Sequence, residues 1–345
     1  MEIKRDRYIN TLISKEHLLS EGVDEDHIIE IAFDAFENKK YRDPDVLYPY
    51  LKEQIKDDAM YYVLLDEVHM YPLSFAEFMS VYQGTKQDGW NEYMLYGGIP
   101  LVPTFTTPDQ KITFLKSLFE ETYISDIVGR HNIRNKAELE DLLNILSSVI
   151  GSLTNPEKLS ATFRTVKKKK ISNSTIKRYI DYLCDSFLID SAIRYDVKGK
   201  KYIDTPVKYY FTDMGLRNAR LNFRQIEETH SMENIIFNEL KMRGFNVDVG
   251  VIVQYDTNEK GNSIRKQLEI DFVCNQGSKR YYIQSAYAIP DQAKMEQEQR
   301  SLMLTGDFFK RIIITKDTPA PYYNESGVLI MSVYDFLLNA NSLEK

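Results

Sequence analysis

The spacing of apolar residues in the first hundred positions predicts an α/β arrangement. Residues 27–33 and 61–65 are short apolar runs typical of buried strands. Residues 41–56 form a helix candidate, which Asp43 and Pro44 would open as N-cap and first-turn residues. Two strands are fewer than the roughly four to six of a usual sheet, so we expect an incomplete parallel α/β domain. Residues 105–150 contain few glycines or prolines and are predicted to be helical.

A different pattern occupies residues 151–220. Asn155 and Pro156 predict a helix that runs to about Val166. A further helix is predicted from Ser172, with apolar residues at the i, i+3, i+4, i+7 spacing of one helix face: Ile176, Tyr179, Ile180, Leu183 and Phe187. Two β-type runs follow at 189–196 and 201–212, separated by a turn at 198–200. Helices followed by a hairpin are typical of a winged helix-turn-helix.

The pattern changes again near residue 230. Helices are predicted at 232–242 and 291–304, strands at 247–255, 267–274, 280–288 and 311–315, and a last strand and helix from Val328. We therefore predict four domains. They are an α/β domain at 1–104, a helical lid or linker at 105–150, the winged helix-turn-helix at 151–228 and a second α/β domain at 229–345.

Composition indicates the compartment of the protein but not its activity. The chain has 345 residues and two cysteines that lie far apart, which favours a reducing cytosol over a disulfide framework. No apolar run approaches the roughly 20 residues of a membrane span, and no apolar stretch follows the charged N-terminus. We expect a cytoplasmic protein with no membrane partner. The five histidines and two cysteines do not have zinc-ligand spacing.

The net charge of −7 conceals a basic segment. Residues 151–220 contain 15 Lys and Arg against 7 Asp and Glu, a surplus of eight positive charges, so the rest carries −15. Such a segment favours DNA as a partner. The alternatives are a solvated lysine-rich face and a winged helix that binds protein. The DNA-binding candidates are Lys167, Lys168, Lys169, Lys170, Asn173, Ser174, Lys177, Arg178, Lys198, Lys200 and Lys201.

Residues 61–67 resemble one of the two parts that an ATP site needs. An apolar run there ends in two adjacent carboxylates, Asp66 and Glu67. In P-loop nucleotide hydrolases that position holds an aspartate that coordinates Mg²⁺ and a glutamate that polarises the attacking water. The phosphate cradle G-x-x-x-x-G-K-[ST] matches no segment of the sequence. Asp66 and Glu67 are the candidate catalytic residues, and no ATP-binding residue can be named.

Seven short motifs carry a family resemblance, and they stand in order at 61–67, 71–78, 96–100, 121–127, 208–219, 233–240 and 269–273. Together they resemble a widespread bacterial and archaeal family of AAA+ ATPases. Members of that family pair an N-terminal ATPase module with a winged helix and a C-terminal domain of restriction-endonuclease-like fold. The resemblance implies ATP and Mg²⁺ as cofactors and ATP hydrolysis coupled to DNA binding. Assembly into a homo-oligomer would make Arg130 a candidate for a trans-acting arginine.

This sequence departs from the family at two places. The phosphate-binding loop would fall between Ile13 and Leu18, and a helix with the sensor strand between Met70 and Tyr71. Either a longer chain contains segments absent here, or the segments are lost and the ATPase is a relic. We favour the first explanation, because loss of a central strand would damage the sheet.

A third group of residues has the order of a PD-(D/E)xK nuclease core. Glu233 lies on a predicted helix, Asp271 on a strand and Gln284 on the next strand. In PD-(D/E)xK nucleases, carboxylate or amide oxygens at these positions hold Mg²⁺. A lysine two residues after the position of Gln284 stabilises the negative charge that develops in the transition state. Ala286 stands at the lysine position, and neither Lys279 nor Lys294 has the required spacing.

Three functions therefore stay open at this point: an AAA+ ATPase, a non-enzymatic DNA-binding protein with a degenerate nuclease-like domain, and a magnesium-dependent nuclease. The missing lysine makes us expect the nuclease-like fold without cleavage.

Overall fold

The computed structural model describes residues 15–20, 22–32, 40, 44–57, 59–66, 71–224, 227–257 and 263–344. It separates into two compact units, residues 1–71 and residues 72–345. Both contain helices and strands, so the fold is mixed α/β as predicted. Across the described ranges, no helix combines the length and apolar character needed to cross a membrane.

The first unit contains a pair of parallel strands. Its elements are α1 (Lys15–Ser20), a 3₁₀ turn (Glu25–His27), β1 (Ile28–Ala32), α2 (Pro44–Gln54) and β2 (Tyr62–Asp66). Ile28 lies opposite Tyr62, and the pairing continues to Ala32 opposite Asp66. The strands predicted at 27–33 and 61–65 are confirmed to within a residue at each end. Parallel strands share their carboxyl edge, so Asp66 lies at that edge of the pair.

The second unit begins with helices, as predicted for residues 105–150. They are α3 (Phe75–Val81), α4 (Lys86–Tyr96), α5 (Pro108–Ser117), α6 (Ser125–Arg130) and α7 (Lys136–Ser148), with π-helical turns at Leu118–Ile124 between α5 and α6. Ser74 and Glu77 form a capping box at the start of α3, which satisfies two backbone N–H groups. Phe75, Phe78 and Trp90 are fully buried and form the centre of this helical layer.

The basic segment folds into α8 (Pro156–Val166), α9 (Asn173–Asp185), β3 (Ile189–Asp196), β4 (Lys201–Phe211) and α10 (Met214–Arg220). The predicted caps are confirmed, since Asn155 accepts from the Lys158 N–H and Ser172 from the Thr175 N–H. Four of the five predicted stripe residues are buried. The prediction was wrong for Phe187. The helix ends at Asp185, and Phe187 takes a left-handed φ of 53° that leaves it half exposed.

The remaining elements complete an eight-stranded sheet. They are α11 (Glu228–Met242), β5 (Asn246–Thr257), β6 (Ser263–Gln276), β7 (Lys279–Ser285), α12 (Gln292–Met303), β8 (Lys310–Thr315), β9 (Tyr322–Tyr323), β10 (Leu329–Ser332) and α13 (Val333–Leu338). The strand order is β4-β3-β5-β6-β7-β8-β10-β9. The pairs β4–β3, β5–β6, β6–β7 and β10–β9 are antiparallel, and the other three pairs are parallel.

The hairpin of the basic segment belongs to this same sheet. β3 pairs in parallel with β5, with Arg194 opposite Val249. The sheet therefore runs across residue 228, where the sequence pattern placed a domain boundary. Its core contains Ile252, Ile270 and Ile313, which are fully buried between the sheet and the helices that cover it.

Two of the motifs that carry the resemblance, residues 96–100 and 208–219, meet in one buried joint. Asp213 accepts hydrogen bonds from the Gly98 N–H at 2.7 Å and the Leu216 N–H at 3.0 Å. A Cβ at Gly97, whose φ is 74°, would lie 2.2 Å from the Asp213 carboxylate, and one at Gly215 would lie 2.0 Å from the Tyr96 carbonyl oxygen. Side chains cannot fit there, so these motifs are explained by close backbone packing.

Candidate functional site

The outer face of α9 is polar and exposed. The buried stripe of this helix faces the core, and Asn173, Ser174, Lys177 and Arg178 are exposed on its other side. Ser174 shares a hydrogen bond with Ser172 at the helix start. The structure thus places all four α9 candidates where a ligand in solvent could contact them.

The four lysines before α9 divide into two pairs. Lys167 and Lys169 form ion pairs with Asp141 on α7, at 2.8 and 3.0 Å. Burial acts to raise the pKa of Asp141, but hydrogen bonds from these two lysines hold it below its usual value. Lys168 and Lys170 are exposed and form no ion pair with any residue that the structure describes. Lys167 and Lys169 therefore fix the loop to α7, and Lys168 and Lys170 remain available to contact a ligand.

Three more candidates lie at the tip of the β3–β4 hairpin. Lys198, Lys200 and Lys201 are all exposed. The tip is held in place because Asp196 accepts from the Gly199 N–H at 2.8 Å and the Val197 N–H donates to the Val251 carbonyl at 3.1 Å. The lysines therefore extend from an ordered turn that is fixed to β5.

The ATPase candidates are only partly described. Asp66 is the last residue of β2, as the strand prediction required. Glu67 lies outside the described residues, and so do Ile13 and Met70 at the two departures from the family. Arg130 pairs with Asp126 one turn earlier on α6, at 3.0 Å.

A second cluster of charges lies between β4, α11 and β6. Lys208 and Tyr210 alternate on β4 and therefore point to the same side of the strand. The Asn234 side chain on α11 bonds both the N–H and the carbonyl of Phe211, which fixes this helix against β4. The alternation and this contact bring Lys208 to Glu233 on α11.

The Lys208 ammonium contacts three carboxylates. Its Nζ lies 2.8 Å from Glu233 Oε1, 2.7 Å from Glu269 Oε1 and 3.5 Å from Asp271 Oδ1. Tyr210 also donates to Glu233 Oε1, at 2.7 Å. We call Lys208, Glu233, Glu269 and Asp271 the acid–lysine centre. Lys208 is 3% exposed, Glu233 6% and Asp271 7%, so most of this charge is withdrawn from water.

Burial and neighbouring charges change the acidities in this centre. Burial raises the pKa of Asp271 to about 7, against the lowering effect of Lys208. Burial also acts to raise the pKa of Glu233, but the Lys208 ammonium and the hydrogen bonds at its oxygens hold it below its usual value. The neighbouring Glu233 carboxylate raises the pKa of His230, whose Nδ1 lies 3.9 Å from Glu233 Oε2.

A β-bulge positions Asp271. β6 has one residue more than β5 between the Asp248–Val273 and Gly250–Ile270 pairs, so the ladder shifts at this point. A Cβ at Gly250 would lie 2.8 Å from the Ile270 Cβ, so glycine allows the strands to approach there. Bulges commonly redirect a side chain next to a functional site. The redirected carboxylate accepts a hydrogen bond from the Ser285 N–H at 2.8 Å.

The structure brings Glu233 and Asp271 together, but Gln284 does not join them through a hydrogen bond. Gln284 Oε1 is buried and has no hydrogen-bond partner in the described part of the chain. The predicted order, Glu233 on a helix and Asp271 and Gln284 on successive strands, is confirmed.

The residues of the acid–lysine centre do not fit the Mg²⁺ that a PD-(D/E)xK nuclease core would hold. Mg²⁺ requires oxygen ligands at about 2.0–2.1 Å in octahedral geometry. Lys208 already donates to the oxygens of both predicted acidic ligands. No group of three or more His, Cys, Asp or Glu side chains in the described ranges is placed to hold a metal ion.

Sequence reasoning missed Lys208 and Glu269. Lys208 belongs to the predicted second strand of the hairpin, more than twenty residues before Glu233, so nothing local links it to the acids. One signal was present: a lysine followed by three aromatic residues in a strand is unusual unless its charge is paired.

Comparison with known proteins gives relatives without assigned activities. Residues 87–227 match a domain of unknown function (DUF8612). This match contains the basic segment, the buried joint and Lys208, and it ends before the acidic residues of α11 and β6.

Two curated relatives are similar over longer stretches. An uncharacterised protein of Haemophilus influenzae is 32% identical over 280 residues, which cover 79% of this chain and 64% of that protein. An uncharacterised protein of Methanocaldococcus jannaschii is 28% identical over 204 residues, which cover 59% and 43% of the two chains. The chain thus spans less than two thirds of the length of each relative.

A crystal structure of a protein from Vibrio cholerae aligns with 98% of this chain and 77% of its own, at 11% identity and a TM-score of 0.25. That score is too low to indicate a shared fold.

Proposed function

We propose that the protein binds duplex DNA through α9 and the tip of the β3–β4 hairpin. The observation that supports this proposal is the placement of seven exposed cationic side chains: Lys168, Lys170, Lys177, Arg178, Lys198, Lys200 and Lys201. None of the seven forms an ion pair with another residue in the described ranges. Unpaired surface cations can neutralise phosphates without first breaking an internal contact.

The order of elements supports a winged helix-turn-helix. Helices α7, α8 and α9 precede the β3–β4 hairpin, as in domains that place one helix in the major groove. Asn173 and Ser174 at the start of α9 could contact base edges or phosphates, and Lys177 and Arg178 lie one turn further along. The hairpin lysines would contact the neighbouring backbone.

Replacement of Lys177 and Arg178 tests this proposal. We expect Lys177→Ala with Arg178→Ala to weaken binding of a fluorescent 30-base-pair duplex (roughly three helical turns, for a motif that reads one major groove). Each lost phosphate contact should reduce the steepness of the plot of the logarithm of the association constant against the logarithm of the salt concentration by about 0.9. Fluorescence anisotropy across a series of salt concentrations measures both quantities.

Lys279→Ala with Lys294→Ala is the control matched in net charge, because it removes two cations that lie on β7 and α12, outside α9 and the hairpin, where each is paired with a glutamate. The proposal is wrong if the wild-type protein shows no salt-dependent DNA binding. It is also wrong if the α9 variant and the control bind equally well.

The C-terminal topology supports a nuclease-like fold as part of the same proposal. The chain order is α11, β5, β6, β7, α12 and β8, with two antiparallel pairings followed by a parallel one. A nuclease-like core beside a winged helix is the architecture that the family resemblance implies. Ala286 and the occupied acid–lysine centre do not favour cleavage.

A second candidate function is ATP binding with hydrolysis coupled to DNA binding, for a chain that carries a phosphate-binding loop. The parallel β1–β2 pair favours it, because Asp66 lies at the carboxyl end of β2. In such a protein, MgATP should raise the melting temperature, and Asp66→Ala should abolish the increase. An unchanged melting temperature would eliminate this candidate.

A further inference from the structure

The acid–lysine centre stands where the chemistry of a PD-(D/E)xK nuclease core would place a divalent cation. We infer that Lys208 is a built-in cation that replaces the metal between Glu233 and Asp271, so that this centre is structural and holds no metal ion. The inference goes beyond DNA binding at α9 and does not depend on it.

The first argument is the match of donors and acceptors. A lysine ammonium has three N–H donors and no acceptor. Lys208 donates hydrogen bonds to Glu233 and Asp271 and forms an ion pair with Glu269 at 2.7 Å. Three carboxylates therefore surround the ammonium and balance its charge.

The second argument is position. Nζ is within hydrogen-bond distance of both Glu233 Oε1 and Asp271 Oδ1, and a bridging metal would bind those same oxygens. Two cations cannot share the oxygens, because they would repel each other in a buried site of low dielectric. A metal could therefore enter only if Lys208 left.

The third argument is that Lys208 is held in place. Its backbone pairs with Ala192 on β3, and the preceding Val207 forms two hydrogen bonds with Thr154. Gly151 lies over the carboxylate, since a Cβ there would be 3.2 Å from Glu233 Oε1. Pairing with β3 on one side and the bridge between Val207 and Thr154 on the other hold the backbone of β4 in place at Lys208.

The position of the charge also differs from that of a nuclease lysine. A PD-(D/E)xK lysine follows its metal ligand by two residues on the same strand, and here that residue is the buried Ala286. Lys208 comes instead from β4 and lies between the acids.

Calorimetric titration with Mn²⁺ on the full chain tests the inference. We expect wild-type protein to show no Mn²⁺ binding that depends on Asp271. Lys208→Ala removes the ammonium from between the carboxylates and should bind one Mn²⁺ per chain at a site that wild type lacks. Adding Asp271→Asn to that variant should abolish the binding, and Lys279→Ala, which removes an exposed lysine, should behave as wild type.

Several results would overturn the inference. One is wild-type Mn²⁺ binding that Asp271→Asn abolishes, and another is Mn²⁺-dependent cleavage of plasmid DNA that the same substitution abolishes. A folded Lys208→Ala protein that binds no Mn²⁺ would also overturn it. If Lys208→Ala folds only when Mn²⁺ is added, as followed by circular dichroism, the inference is supported. If it does not fold at all, the comparison of wild type with Asp271→Asn decides.

Discussion

At the scale of single residues, Asp213 shows how a buried carboxylate can be stabilised without a cation. It is 3% exposed and accepts hydrogen bonds from the backbone N–H groups of Gly98 and Leu216. Burial raises its pKa to about 6, although these backbone hydrogen bonds act to lower it. Asp213 thus caps α10 and fixes the Gly97–Gly98 turn against that helix.

This pKa predicts a dependence of stability on pH. The folded-state pKa of about 6 is above the ordinary value of 3.8 for aspartate, so the folded protein binds more protons between these pH values. The contribution of Asp213 to the free energy of unfolding should therefore be largest below pH 4 and fall as pH rises to about 7. A shift of about two pKa units corresponds to about 3 kcal/mol.

Urea denaturation of wild type and Asp213→Asn at pH 4, 5, 6 and 7 measures this effect. Asparagine does not ionise, so the difference between the two free energies of unfolding should change across this range. A difference that stays constant from pH 4 to pH 7 would contradict the prediction.

At the scale of helices and strands, the sequence predicted those features that depend on interactions between residues close together in the chain. Asn155 and Ser172 are capping residues whose hydrogen bonds reach only three residues ahead, so the starts of α8 and α9 were predictable. Glu233 and Asp271 were found because their elements follow in a recognisable order. Lys208 was missed, because its partners come from elements that only the folded sheet brings to β4. The pairing of β3 with β5 was missed for the same reason.

Two helical glycines should respond oppositely to alanine. Gly215 lies in α10, where a Cβ would be 2.0 Å from the Tyr96 carbonyl oxygen, whereas Gly129 in α6 has no atom within 4 Å of that position. Gly215→Ala should destabilise the protein by about 3 kcal/mol, because backbone would have to move. Gly129→Ala should stabilise it by about 0.5–1 kcal/mol, because alanine favours helix.

Thermal denaturation of the two variants beside wild type measures both effects. Equal melting temperatures for Gly215→Ala and wild type would show that α10 does not pack against α4 as closely as described.

At the scale of the whole molecule, the second unit is organised around one sheet. The hairpin that presents the basic tip is hydrogen-bonded to β5, and the acid–lysine centre joins β4 to α11 and β6. The hydrophobic pattern indicated the strands, but it could not indicate that two segments with different patterns share a sheet. Strand pairing between distant segments depends on the complete fold.

This organisation predicts that the basic segment does not fold alone. Residues 151–228 without the rest would expose the β3 edge and leave Lys208 without its three carboxylates. We expect this fragment to show no cooperative unfolding by circular dichroism, whereas residues 72–345 should unfold in one transition. A cooperative transition in the isolated fragment would show that the winged helix is an independent domain.

The acid–lysine centre also restricts how this protein can diverge. A lineage that replaced Lys208 with a neutral residue would retain two buried carboxylates, Glu233 and Asp271, without the ammonium between them, a loss that typically costs about 3–5 kcal/mol. Substitutions at this lysine should therefore be inherited together with changes at Glu233, Glu269 or Asp271. We therefore expect the four positions to change together among related sequences, although Lys208 and Asp271 stand more than sixty residues apart in the chain.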